Sequence, residues 1–162
     1  MVFMGQRRIF WACFLAMLTL IWTCIIFAQS AKNGEESTED TNKVMEIIEE
    51  VAEVIGVDAD VSTRFVRKMA HFGEYLILGL LGALLTTTVG GGWRCVIAFV
   101  YAVSVAVCDE FAVQRFSEGR APQFTDVLID SAGALVGVSF VVVISCLIAF
   151  RQGKKSLSKN EK

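Results

Sequence analysis

The chain has 162 residues, 54% of them apolar, with a mean hydropathy of +0.56 and a single proline. A domain of that size has too little interior to hide so much apolar sequence from water, which excludes a soluble globule and points to the membrane. The formal charge is only −2, and no basic stripe of the kind that tracks a phosphate backbone is present, so nucleic acid is excluded as a partner.

The apolar residues come in long blocks. The first, about 9–28, carries no charge and follows Arg7 and Arg8. At about 1.5 Å per residue it matches a hydrocarbon core of about 30 Å. It is longer than the apolar region of a signal peptide, so an uncleaved anchor is expected. A polar loop follows, in which the stretch from Lys32 to Asp60 holds ten acids against Lys32 and Lys43. Within it, KVMEIIEEVAEVIGV sets Val44, Ile47, Ile48, Val51, Val54 and Ile55 on one helical face and Glu46, Glu49, Glu50 and Glu53 on the other. This is an amphipathic helix, with Asp40, Thr41 and Asn42 as candidate caps. It can lie on the bilayer surface or pack over the bundle as a lid; its acidity speaks against the first.

The second block, about 70–89, opens with His71 and Glu74 and ends at Gly90-Gly91-Gly92. The third, about 93–113, is apolar as far as Cys108, where Asp109 and Glu110 interrupt it. It is long enough to span only if those two acids sit inside the bundle or near an interface. The segment from Gln114 to Thr125, with Gly119 and Pro122, reads as a loop. In the fourth block, about 127–150, Asp126 stands just before the start and Asp130 one turn inside. Gly133 and Gly137 have the small-xxx-small spacing that lets another helix approach. Residues 151–162 form a basic tail expected to be disordered. The fold class is therefore all-α: one domain over residues 1–150, a bundle of four transmembrane helices with an amphipathic helix in the first loop. The five cysteines are expected to be free thiols packing as small apolar groups.

Four spans put both termini on one side. Arg7 and Arg8 before the first helix, the acidic loop after it and the basic tail favour a cytoplasmic position for both termini. Whichever way the chain inserts, the start of the second helix, the end of the third and the start of the fourth share one membrane face. That gathers His71, Glu74, Asp109, Glu110, Gln114, Asp126 and Asp130, with Arg64, Arg67, Lys68, Arg115 and Arg120 from flanking segments. A charge in the hydrocarbon centre costs about 2.5–3.5 kcal/mol on insertion scales, so these groups should face the bundle interior.

Several chemistries stay open at this point. The charges can be ion pairs that cap helix ends. They can form an intramembrane proton relay. His71, the sole histidine, can do acid–base work with Glu74, Asp109 and Glu110 beside arginines that hold an anion. A divalent metal could use those same N and O donors, but a lone histidine with no second His or Cys leaves no metal ligand set assigned. No cofactor is indicated, and no nucleotide-binding, GxSxG or HExxH motif is present.

RKMAHFGEYLILGLLGALL resembles the basic-x-x-His-Phe-x-Glu-Tyr-x-x-Leu-Gly segment of the VanZ-like membrane proteins. CDEFAVQRFSEGRAPQFTDVLIDSAGALVG resembles their second segment, Asp-Glu-x-x-x-Gln-x-Phe-x-x-x-Arg followed by Asp-x-x-x-Asp/Asn-x-x-Gly. The resemblance covers nearly the whole chain apart from the tail. It implies polar family positions at Lys68, His71, Glu74, Tyr75, Asp109, Glu110, Gln114, Arg120, Asp126 and Asp130. The first loop departs from the family's Ser-rich signature, with Ala28-Gln29-Ser30 in place of a clear Ser-Ser-Gln.

The family is named for a bacterial protein linked to low-level resistance to the lipoglycopeptide teicoplanin. The resemblance thus implies a multi-pass protein of the bacterial plasma membrane that acts on the cell envelope. The expected partner is a membrane lipid or lipid-linked precursor, its headgroup held by Arg64, Arg67, Lys68 and Arg120. Tyr75, Gln114, Asp126 and Asp130 complete the binding surface. His71, Glu74, Asp109 and Glu110 supply proton transfer or headgroup contacts. Two rival readings are a non-catalytic accessory protein and a small transporter or flippase working as a homo-oligomer, for which no inverted repeat is visible.

Overall fold

The computed structural model describes residues 2–32, 34–55, 62–90, 92–114 and 123–160, and every regular element among them is helical. The helices are α1 (Val2–Ser30), α2 (Gly34–Ile55), α3 (Thr63–Val89), α4 (Cys95–Cys108) and α5 (Phe124–Asn160). A single 3₁₀ turn, Gly92–Arg94, leads into α4, and a π-helical stretch, Asp109–Val113, continues it. Four stretches are long and apolar enough to cross a bilayer: Gly5–Ser30, Thr63–Val89, Cys95–Val113 and Phe124–Lys154. The chain is a multi-pass membrane protein.

The two ends of α3 are held by different contacts. At one end Arg8 donates from Nε to the Thr88 carbonyl (3.1 Å) and from Nη2 to the Val89 carbonyl (3.3 Å). A cation there satisfies carbonyls that have no partner inside the helix and opposes the negative end of the helix dipole. α3 stops at Gly90, whose φ of +133° suits a residue without a Cβ. At the other end Ser62 caps α3, its hydroxyl accepting from the Phe65 amide.

The most extensive helix–helix contact joins α3 and α5. Glycine makes it possible. A Cβ at Gly133 would overlap the Phe72 carbonyl oxygen, one at Gly137 the Leu76 carbonyl oxygen, and one at Gly79 the Ala134 carbonyl oxygen. Backbones therefore touch along the seam, as expected of the Gly133/Gly137 spacing. α4 contributes small residues of its own: Ala98, Ala102 and Ala106 recur every four residues, and all are buried. Ala98 faces Gly82. Large apolar residues such as Phe10, Val96, Phe140 and Phe150 stay on the outside, where acyl chains would cover them.

The boundaries move from the sequence expectation in informative ways. α2 begins at Gly34, so Asp40, Thr41 and Asn42 lie inside the helix rather than capping it. Asp40 bonds Lys32 Nζ at 2.6 Å and lies beside Lys43 on the next turn, which makes it a surface charge partner. The hydrogen bond and charge of Lys32 hold its carboxyl below the ordinary value. α3 starts at Thr63, which places Arg64, Arg67 and Lys68 on the helix itself rather than before it. The tail expected to be disordered is helical to Asn160, since its lysines, Gln152 and Leu157 are compatible with continuing the apolar helix before it. Of the five cysteines, all free, only Cys95 is buried; Cys13, Cys24, Cys108 and Cys146 lie on the outer surface instead of packing inside.

Gly137→Leu, which drives a side chain into the Leu76 carbonyl, is expected to lower stability by about 1–3 kcal/mol, read as a fall in the thermal midpoint in detergent. Gly153→Ala, with nothing within 4 Å of the new Cβ, should not lower it. The Lys32–Asp40 tether contributes stability above the ordinary aspartate value of 3.8 and loses it as pH falls through the lowered Asp40 value. Faster hydrogen exchange of the α2 amides on acidification to that range is the measurement that checks it.

Candidate functional site

The acids that interrupt the third apolar block are turned inward. Asp109 and Glu110 are 0% and 1% exposed, and Asp130 is 1% exposed. Both acids lie in the π stretch, where the Gln114 amide donates to the Asp109 carbonyl, an i→i+5 bond that widens the turn.

The buried carboxylates are supported by neutral donors. Ser30 Oγ, at the end of α1, donates to Asp109 Oδ2 at 2.8 Å. Gln114 Nε2 donates to Glu110 Oε2 at 2.7 Å and to Asp109 Oδ2 at 3.2 Å. The Gln123 amide, just before α5, donates to Glu110 Oε1 at 2.5 Å. Donors from three segments thus converge on two adjacent acids.

α3 brings the second group of residues to the same place. His71 Nδ1 lies 3.6 Å from Glu74 Oε2, one turn along the helix. The Glu74 carbonyl accepts from Trp22 Nε1 of α1 at 2.8 Å, which locks α1 beside this turn. Tyr75 is wholly buried. Ligand atoms of His71, Asp109 and Asp130, from α3, the π stretch and α5, all lie within 4.8 Å of one another. The sequence set His71, Glu74, Asp109 and Glu110 as metal-capable donors; the structure instead brings Asp130 into the group with His71 and Asp109.

The other expected residues divide. Lys68 Nζ pairs with Asp126 Oδ1 at 2.9 Å, half-buried, tying α3 to α5. Arg67 reaches away from the carboxylates and donates from Nη2 to Thr38 Oγ1 of α2 at 3.2 Å. Arg64 is exposed at the end of α3. Arg115 and Arg120 lie outside the described residues. Ser30, at the point where the first loop departs from the family's Ser-rich signature, is fully buried on Asp109. The Gln123 amide had no side-chain signal at all, because a backbone donor leaves none in the sequence.

A cleft of about 670 Å³ opens beside this cluster, between α2, the end of α1 and the start of α3. Its walls are apolar at Val44, Ile48, Phe65, Met69 and Ala70 and charged at Lys32, Asp40 and Arg67. His71 and Glu74 line it too, so the cleft and the buried cluster share two residues. The amphipathic helix packs against α3, with Thr41 buried and Ile48 on the cleft, while Val44 and Ile47 stay exposed.

The model of the family described as VanZ/LLP1 matches residues 14–147, a span running from within α1 to within α5 that includes all the residues of the cluster. No curated protein matches the chain. No solved structure matches it either.

Ser30→Ala removes a donor from the buried side chain of Asp109 and is expected to cost about 1–3 kcal/mol of stability, the cost of leaving a buried acceptor without its partner. In an Asp109→Ala background the same change should cost far less, and a double-mutant cycle on unfolding in detergent reads the difference.

Proposed function

The chain belongs to the VanZ/LLP1 family, and from that premise we propose that its polar site takes an anionic envelope lipid or lipid-linked precursor. The observation that carries the reading is the cleft under α2. It combines an apolar wall with Lys32, Arg67 and His71, and it shares His71 and Glu74 with the buried carboxylates. An amphiphile has the same two-part chemistry, acyl chain beside charged headgroup. Arg67 attracts the headgroup, Lys32 being paired with Asp40 on the cleft wall, and Val44, Ile48, Phe65 and Met69 meet its apolar part. His71, next to Glu74, is the group able to exchange a proton near neutral pH. In this reading both termini are cytoplasmic, so the cleft faces the outer side of a bacterial plasma membrane, where teicoplanin and lipid-linked precursors meet.

One contact supports a second reading, that of an accessory protein whose charges hold the bundle together. Lys68 and Asp126 neutralise one another across α3 and α5, and a pair so engaged is a poor headgroup clamp. The two readings differ in what a conservative change does. As a structural charge, Asp109→Glu should keep activity while Asp109→Ala lowers the amount of protein in the membrane.

The test is teicoplanin susceptibility and envelope lipid profiling of a sensitive host that produces wild type, His71→Ala or Glu110→Gln at matched membrane abundance. Wild type is expected to protect and to alter one lipid or precursor pool, and both variants are expected to lose the two effects. Protection by all three proteins would favour the accessory reading. No protection and no lipid change from wild type would remove the proposal.

A further inference from the structure

The buried carboxylate of Asp130 is not explained by the packing around it. It is 1% exposed, and among the described residues neither of its oxygens has a hydrogen-bond partner. The Tyr75 hydroxyl, in a residue with 0% exposure, has none among them either. A native fold seldom buries a carboxylate without donors, because the desolvation is not repaid. A cation that binds oxygen would repay it.

The donor set identifies its class. One ligand atom each from His71, Asp109 and Asp130 lies within 4.8 Å of the other two. Ligands about 2.1 Å from a common ion are at most about 4.2 Å apart, so a small inward movement of the three side chains closes the set. One imidazole nitrogen with two carboxylate oxygens suits a divalent first-row cation such as Mn²⁺ or Zn²⁺. Ca²⁺ and Mg²⁺ prefer all-oxygen surroundings. Three protein ligands leave a position open for a further oxygen. Ser30 and Gln114, which both donate to Asp109 Oδ2, orient one of the carboxylates as outer-shell partners commonly do.

We infer that His71, Asp109 and Asp130 bind one divalent transition-metal cation where α3, the π stretch and α5 converge, with Tyr75 beside it. The inference deepens the reading proposed above, and rests on it in one respect: the cation's open position would take an oxygen of the anionic headgroup. Metal binding itself stands on the three side chains alone. The cation also offsets the cost of placing two carboxylates deep in the bundle. His71 lies eight residues into α3, about 12 Å from its start.

The experiment uses the full chain without a histidine tag, purified in detergent and stripped with chelator. Equilibrium dialysis against Mn²⁺ or Zn²⁺, followed by elemental analysis, should give one ion per chain for wild type. The Mn²⁺ resonance signal should broaden on binding. Asp130→Asn and His71→Ala should each weaken binding by at least about ten-fold, while Glu39→Gln, an exposed change on α2, leaves it intact. Metal should raise the thermal midpoint of wild type but not of Asp130→Asn, a nearly isosteric variant whose unloaded midpoint shows that it folds. No ion on wild type, unchanged binding in both variants, or Mg²⁺ bound as tightly as Mn²⁺ would each overturn the inference. These readouts need no lipid. If metal binding fails while the variants still lose protection against teicoplanin, the headgroup reading survives without a cation. If metal binds and lipids do not change, the headgroup reading alone falls.

Discussion

The backbone-to-backbone contact of α3 with α5 is the constraint on which the rest of this structure depends. In a bilayer the hydrophobic effect does little to draw helices together, because acyl chains are as apolar as leucine. Close packing must supply the attraction. Gly133 on the Phe72 carbonyl, Gly137 on the Leu76 carbonyl and Gly79 on the Ala134 carbonyl bring the two axes together along several turns. One turn before Gly133 stands Asp130, and one residue before Phe72 stands His71. The seam that packs the bundle thus also sets the distance between two of its polar side chains.

The second requirement is to shelter the acids of the third span. The π stretch turns Asp109 and Glu110 inward together, and donors from α1, from Gln114 and from the entry to α5 meet them there. Each donor sits on a different segment, so the acids act as a hub that ties α1, the π stretch and the entry to α5 at one end. At the opposite end Arg8 ties α1 to the last turn of α3. The two ends differ in chemistry. One is a simple helix cap, and the other is a dense polar cluster next to a cleft. That difference, more than the number of charges, locates the candidate site.

The position of α2 links cluster and surroundings. Among the described residues it is tethered by Lys32 to Asp40 and by Arg67 to Thr38, and its Thr41 is buried. It covers the cleft that His71 and Glu74 line.

The sequence by itself determined the four spans, the amphipathic helix, the small-residue seam and the face on which His71, Glu74, Asp109, Glu110, Gln114, Asp126 and Asp130 gather. These follow from local chemistry, since apolar length decides what crosses a bilayer and antiparallel connection decides which ends meet. Tertiary structure alone decided who touches whom. It assigned Lys68 to Asp126, sent Arg67 to α2, put Ser30 on Asp109 and grouped Asp130 with His71 and Asp109 in place of Glu74 and Glu110. The physical reason is that side-chain partnership depends on helix rotation and axial offset to within an ångström or two. Those are set by backbone contacts at glycines and by the widened π turn, which residue spacing on a regular helix does not report.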